Sequence, residues 1–355
     1  MPPHAIAYAE LYVADDREAA GFLTDNLGFV PVAAAGPATG TPDRRSTALR
    51  SGEVILVVTQ ALGEGTAVAR FVEAHGDSIA DLAFSCADVR SAYDRAVLAG
   101  ATALRAPTPA LTGGDSQYAT VSGFGDIRHT LVAAGEGLPL LPPDRVWALL
   151  PAAAEAGGPR PALDHVAVCL EPGTLRKTAD FYEAAFDTPY YSSEYIEVGG
   201  QAMDSIVVRN ADGGITFTLI EPDDTRLPGQ INRFLESHNG PGVQHLAFLV
   251  DDIVGAVRSL GDRGVAFLRT PGTYYDLLTE RVSGMADRIA DLRETNVLVD
   301  RDEWGYLLQI FTRSPYPRST LFYEYIQRHG ARGFGSSNIK ALYEAVERER
   351  EVAGR

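Results

Sequence analysis

His165, His245 and Glu324 are the residues of this chain whose types and placement could do metal chemistry. Each sits in a run of strand character, at 163–168, 243–249 and 321–326, and the three are about 80 residues apart. Strands of one curved sheet can bring such side chains together. Two imidazoles and a carboxylate leave three adjacent octahedral positions open. That arrangement suits Fe(II) in oxygenases, where a chelating substrate and O2 bind side by side. On residue types alone, a strand histidine serves equally well as a hydrogen-bonded core group, so both readings stand at this point. Of the other histidines, His4, His75, His238 and His329 lie beside turns or termini and are expected to be solvated. His129, within 128–131, is expected to be structural.

The elements that would carry these residues form a repeat. The stretch 77–84 (DSIADLAF) matches 241–248 (PGVQHLAF), and each is followed by an acidic turn and an amphipathic helix, 89–100 and 253–264, that ends at glycine. A short strand then runs into Ala106-Pro107 or Thr270-Pro271. Earlier pairs match as well: 45–58 with 204–220, and 6–13 with 163–168. The unit is strand–helix–strand–strand–strand, used four times across two halves. It predicts an α+β fold of duplicated βαβββ modules, forming two curved-sheet half-barrel domains. On this alignment Glu10 and Asp81 stand where the second half has His165 and His245, giving one metal site per chain. Residues 134–161, rich in Pro and Gly, join the halves. The expected boundary gives a metal-free domain at 1–155 and a catalytic domain at 156–355. The latter ends in a helix over 336–352, whose Ile339, Leu342, Tyr343 and Val346 form an apolar stripe, by itself a docking face.

Bulk properties narrow the partners. A chain of 355 residues suits two domains. A formal charge of −16 argues against nucleic acid, since nothing would neutralise a row of phosphates. It also means that an acidic substrate needs a local positive charge, which a divalent metal would supply. Two cysteines provide no disulfide framework, and neither a leader peptide nor a long apolar run is evident. A cytoplasmic protein without membrane partners is expected.

With these ligands the duplicated unit resembles the vicinal oxygen chelate superfamily, and the second half resembles the 4-hydroxyphenylpyruvate dioxygenase family. The resemblance is carried by 163–165 (LDH), 228–231 (PGQI), 242–246 (GVQHL), 270–278 (TPGTYYDLL), 308–312 (LQIFT), 322–328 (FYEYIQR) and 333–339 (GFGSSNI). It implies Fe(II) held by His165, His245 and Glu324, with 4-hydroxyphenylpyruvate and O2 as substrates. It places polar pocket residues at Ser205, Gln230, Gln244 and Gln309, aromatic walls at Phe311, Phe322 and Phe334, and Asn338 on the helix over 336–352, which it makes the closing lid. Gln244 adjoins His245 in one strand, so simple alternation would point it to the opposite face. Family members are homo-oligomers, and a homodimer is the expectation.

The chain departs from homogentisate-forming members at Thr218 and Ile220, where those have Pro and Asn, and at Ile339, where those have Phe. These departures resemble the branch of the family that hydroxylates the benzylic carbon, giving 4-hydroxymandelate for hydroxyphenylglycine in peptide antibiotics. The homogentisate-forming activity of tyrosine catabolism is the nearest alternative. An extradiol catechol dioxygenase lacks the lid and the glutamines, and a glyoxalase-type isomerase often builds its site from two modules. A non-catalytic aromatic-ligand-binding protein of the same fold would have no use for the triad.

Overall fold

The computed structural model describes residues 2–111, 116–134, 140–151, 159–278, 282, 284–338 and 340. Its strands form two mixed sheets. The first holds β1 (Pro3–Val13), β2 (Val30–Ala35), β3 (Arg44–Ser51), β4 (Val54–Ala61), β5 (Ser78–Cys86), β6 (Ala103–Pro109), β7 (Gln117–Ser122), β8 (Arg128–Ala133) and the short β9 (Ala148–Leu149). The second holds β10 (Ala162–Cys169), β11 (Tyr190–Val198), β12 (Gln201–Arg209), β13 (Thr216–Pro222), β14 (Gly242–Leu249), β15 (Leu298–Arg301), β16 (Tyr306–Phe311) and β17 (Phe322–His329). The orders are 6-7-8-5-1-4-3-2-9 and 11-12-13-10-14-17-16-15. Read in the opposite sense and without β9, the first order is the second, strand for strand. Four βαβββ modules build the molecule, two to a sheet, as the repeat predicted.

The helices are α1 (Asp16–Gly21), α2 (Ala67–His75), α3 (Val89–Leu98), α4 (Leu175–Phe186), α5 (Gln230–His238) and α6 (Ile253–Asp262), of which α1, α2, α3 and α6 begin at a side-chain cap. The acidic turns of the repeat prove to be N-caps: Asp88 accepts from the Ser91 amide and Asp252 from the Gly255 amide, each at 3.1 Å. Glu221 does this from a distance, its carboxylate taking the amides of Thr174 and Leu175 at the start of α4. Its place in β13, a pocket strand, is therefore explained by helix capping.

The halves share one apolar core. Phe84 from the first sheet, Phe217 from the second, and Tyr182 and Phe186 on α4 pack together around His129, all fully buried. His129 is satisfied there, donating from Nδ1 to the Leu82 carbonyl and accepting at Nε2 from the Tyr182 hydroxyl. Burial holds it down at about 4, against a partial rise from the Leu82 bond, so it stays neutral.

Three expectations change. His75 and His238 are not solvated: both are buried where the halves meet, their rings stacked at 4.7 Å, with His238 Nε2 3.1 Å from Ser78 Oγ. The short strand before Thr270-Pro271 is reduced to a single bridge, Phe267 to Thr312. Helical turns at Gly272–Asp276 and Ile289–Thr295 occupy the intervening chain, so the corresponding edge strand forms later, as β15. The third concerns Glu10 and is taken up with the site. Of the expected lid helix, residues 336–338 and 340 are helical, and the remainder, with Ile339, lies outside the described residues. No helix among the described residues is long and apolar enough to cross a membrane.

Candidate metal centre and pocket

The site begins with two irregularities in one strand pair. Strands β10 and β14 run antiparallel, with Leu163 opposite Phe248 but His165 opposite Ala247, and with Ala167 opposite His245 but Val168 opposite Val243. Asp164 and Gln244 are each left without a cross-strand partner, so each is a β-bulge residue. A bulge lets neighbours along the strand share a face that alternation would deny them. This is how both Gln244 and His245 reach the same cavity.

Each bulge residue holds the histidine that follows it. His165 Nδ1 lies 2.8 Å from Asp164 Oδ1, and His245 Nδ1 lies 3.2 Å from Gln244 Oε1. A carboxylate and an amide oxygen only accept, so Nδ1 donates in both rings and, in the neutral imidazoles, Nε2 keeps its lone pair. The two Nε2 atoms converge on Glu324 Oε2, at 3.3 Å from His165 and 3.1 Å from His245. Strand β17, parallel to β14 with Glu324 beside Ala247, delivers that carboxylate. All three side chains are buried, and their ligand atoms lie within 4.8 Å of one another.

The electrostatics are those of a site built for a cation. Burial works against ionising Glu324, yet its contacts with His165 and His245 keep its pKa below the ordinary value. Burial also lowers His165, but hydrogen bonds to Asp164 and then Glu324 outweigh it and lift the ring to about 9. His245 stays low, through burial and the nearby His165 charge, against the pull of Glu324. Two carboxylates thus draw positive charge onto this cluster, and a divalent ion would supply it directly. Among the described residues His245 Nε2 has no hydrogen-bond partner of good geometry, an open ligand atom. Two nitrogens and one oxygen on one side, with a cavity on the other, fit a facial triad.

That cavity measures about 490 Å³. Ser205 (β12), Thr218 and Ile220 (β13), Gln230 (the first residue of α5), Gln244 (β14), Gln309 and Phe311 (β16), Phe322 (β17) and Phe334 line it together with the triad. With β10 and β11, seven strands of one sheet converge here, so the sheet is curled around the site. Among the described residues Thr218 Oγ1 and Gln309 Oε1 are buried without partners, and an unpaired buried polar group costs about 1–3 kcal/mol. A ligand that bonds them recovers that cost. Ser205 instead donates to the Glu194 carbonyl at 3.0 Å. Asn338 is buried but is not among the lining residues: its Oδ1 accepts from Tyr274 Oη at 2.7 Å, which ties the start of the C-terminal helix to the core.

Asp164 was overlooked by sequence reasoning, although it stands inside LDH, the stretch that carries the resemblance. The signal was available, since an acceptor next to a ligating histidine is a common way to fix its tautomer. The bulge that aims it was not legible.

Register also corrects the matching of the halves. Strands β1 and β5 carry their own bulges, at Ala7 and Ala80. Aligning bulge with bulge sets Tyr8 against His165, Asp81 against His245 and Thr130 against Glu324, while Glu10 falls opposite Ala167. Asp81 was placed correctly and Glu10 was two residues out: both first strands carry the bulge at the same place, and counting from it sets Tyr8 against His165.

Comparison with known proteins agrees with this architecture. The model of the glyoxalase/bleomycin resistance protein/dioxygenase superfamily matches residues 5–124 and 162–310. A 4-hydroxyphenylpyruvate dioxygenase from Yarrowia lipolytica is 32% identical, with 97% of this chain and 91% of that protein aligned. One from Danio rerio is also 32% identical, over 98% and 91%. Among solved structures, a triply substituted 4-hydroxymandelate synthase from Streptomyces coelicolor superposes with a TM-score of 0.92 at 80% identity, covering 99% of this chain and all of that one. Duplicated modules, a buried two-histidine, one-glutamate cluster and full-length similarity lead to one assignment: the chain belongs to the 4-hydroxyphenylpyruvate dioxygenase family.

Proposed function

We propose that the chain is a non-haem Fe(II) dioxygenase that converts 4-hydroxyphenylpyruvate and O2 to 4-hydroxymandelate and CO2. The observation that carries this reading is the buried triad opening onto a cavity with aromatic walls and unpaired polar atoms. Likeness at 80% identity to a 4-hydroxymandelate synthase supports benzylic hydroxylation over ring attack. In this reading His165, His245 and Glu324 hold the ion. Bound there, Fe(II) supplies Lewis acidity for the 2-oxo acid and the redox chemistry that O2 requires.

The chain's own residues do the remaining work. Gln230, Gln244 and Gln309 offer amides, and Ser205 and Thr218 hydroxyls, to the substrate's polar ends. Phe311, Phe322 and Phe334 flank the aromatic ring and exclude water. Ile220 shapes the wall that decides which carbon faces the reacting oxygen, and the family resemblance assigns Ile339 the same part. Asn338 fixes the root of the closing helix. Displacing the ring by about an ångström changes rates on the order of a hundredfold, so a few such residues can set the product. The reading also divides the labour near residue 155, with a metal-free first half as the contact surface of a homodimer.

The test is anaerobic reconstitution with Fe(II), addition of 4-hydroxyphenylpyruvate and air, and chromatography against standards. 4-Hydroxymandelate is the expected product. Homogentisate would keep the triad and overturn the reading of Thr218, Ile220 and Ile339. Ligand binding without O2 uptake would replace the dioxygenase with an aromatic-acid-binding protein.

A further inference from the structure

Strand β17 carries Arg328 four residues after Glu324, on the same face. Its guanidinium grips Asp164 with two bonds, Nε to Oδ2 and Nη2 to Oδ1, each 2.7 Å. Asp164 in turn takes the Nδ1 proton of His165. The free face of the same guanidinium lies 5.0 Å from the ring centre of Phe334, whose ring meets His165 edge-on at 5.1 Å. Its remaining nitrogen donates to the Gly333 carbonyl at 2.7 Å and the Ala331 carbonyl at 3.3 Å. One side chain therefore touches the partner of a metal ligand, a wall of the cavity and the backbone that leads to the C-terminal helix. Asp164 is nearly buried and Arg328 mostly so, with side-chain exposures of 9% and 18%. A planar two-bond pair of this kind fixes angle as well as distance.

We propose that Arg328 is a positioning residue: through Asp164 it sets the orientation of His165 toward the metal, and through Phe334 and Gly333 it sets the adjoining pocket wall, so that metal affinity and substrate placement depend on one guanidinium. The inference rests on the reading of His165 as a metal ligand. It differs in kind from the ligand set, since neither Arg328 nor Asp164 contacts the metal position. Loss of an outer hydrogen-bond partner of a ligating histidine typically weakens metal binding about 10- to 100-fold. Lysine cannot replace the fork, because it offers a point charge without fixed geometry.

The experiment is anaerobic titration of the full chain with Co(II), which reports affinity and, through its ligand-field bands, ligand geometry. Asp164→Asn and Arg328→Met should each weaken binding about 10- to 100-fold and shift the bands. The double variant should be no worse than the weaker single, because both break the same chain of contacts. Wild-type affinity and bands in Arg328→Met overturn the proposal. If that variant does not fold, Arg328→Lys serves instead, and wild-type behaviour there overturns it equally. Because the titration needs no substrate, its failure is distinguishable from failure of the dioxygenase reading, which appears only in the product assay. There, the Arg328 variants should consume more O2 per hydroxymandelate formed than the parent chain.

Discussion

The two halves of this molecule share a strand order, a pair of bulges and a cavity at the same place in the sheet, yet among the described residues only one of them carries a triad. Where the second half has His165, His245 and Glu324, the first has Tyr8, Asp81 and Thr130. Where Phe322 forms a cavity wall, Arg128 enters, bonding Asp81 at 3.1 Å and Glu10 at 3.3 Å. Arg145, brought in by the segment that follows β8, pairs with Glu10 at 2.9 Å and bonds Ser46 at 2.6 Å. The first cavity, about 280 Å³ against 490 Å³, is lined with guanidinium–carboxylate pairs. Arginines neutralise buried acids there, as a divalent ion would in the second half. An arginine has donors only and no exchangeable coordination position, so it can stabilise charge without activating a substrate. The fold supplies a place for positive charge twice, and side-chain identity at three positions decides whether chemistry follows.

The sharpest break of this contrast removes the carboxylate that has no counterpart. Glu324→Ala should abolish stoichiometric Co(II) binding and lower O2 consumption at least about 10³-fold, equivalent to roughly 4 kcal/mol. An oxygen electrode and a metal titration check it, and persistent turnover would remove Glu324 from the ligand set. Arg145→Met should do the reverse. It leaves the wholly buried Glu10 with Arg128 as its one remaining guanidinium, at 3.3 Å, and breaking one partner from a buried pair costs up to about 3–5 kcal/mol. Denaturant unfolding should record that loss while the Co(II) bands stay unchanged. A variant of normal stability would mean that the first-half network does not offset a buried charge.

How much of this was legible in the sequence follows from the same contrast. The βαβββ repeat was readable because apolar alternation, acidic caps such as Asp88 and Asp252, and terminal glycines recur at matching places. The two histidines were readable as candidates because the chain has only seven and these sit in equivalent strands, and the family resemblance made them, with Glu324, a triad. Bulges were not, since Asp164 and Gln244 look like ordinary alternating positions until the partner strand's register is known. That gap left the direction of Gln244 unresolved. Burial of His75 and His238 was hidden for a related reason. Each ends a helix, where the sequence suggests exposure, and only the docking of one half on the other covers them.

A pH experiment sharpens the distinction between histidines held as ligands and those held as structure. His129 falls from the usual 6.5 to about 4 on folding, so the unfolded chain takes up its proton first as pH drops. Its contribution is present above pH 6.5 and is lost as pH falls toward 4. At 1.36 kcal/mol per unit the loss is up to about 3 kcal/mol. Asp81, raised to about 6 mainly by burial, works in the opposite sense across the same window, so the parent chain alone would mislead. The stability difference between the parent and His129→Gln cancels that shared term. It should move by up to about 3 kcal/mol in favour of the variant between pH 7 and pH 4. A constant difference would mean that His129 does not titrate on unfolding.

The smallest expected effect probes the cavity wall. The first-half counterpart of Ile220 is Thr59, and that of Ser205 is Ser46. Thr59 donates to Glu10 at 2.7 Å and lies 2.8 Å from Ser46, so it is fully engaged in the ionic network. Ile220 has no polar task. It packs beside Cys169, Ile231, Phe234 and Leu235 and presents the rest of its surface to the cavity. Shortening it should leave metal affinity unchanged and give the substrate ring room to move. Ile220→Ala should therefore leave Co(II) bands as they are and lower the selectivity for 4-hydroxymandelate about tenfold, a change of roughly 1.4 kcal/mol in the difference between two barriers. Quantitative chromatography would detect the homogentisate or other oxidised acid that appears in its place. An unchanged product ratio would place the determinant of regiochemistry elsewhere in the wall, with Thr218 the next position to vary.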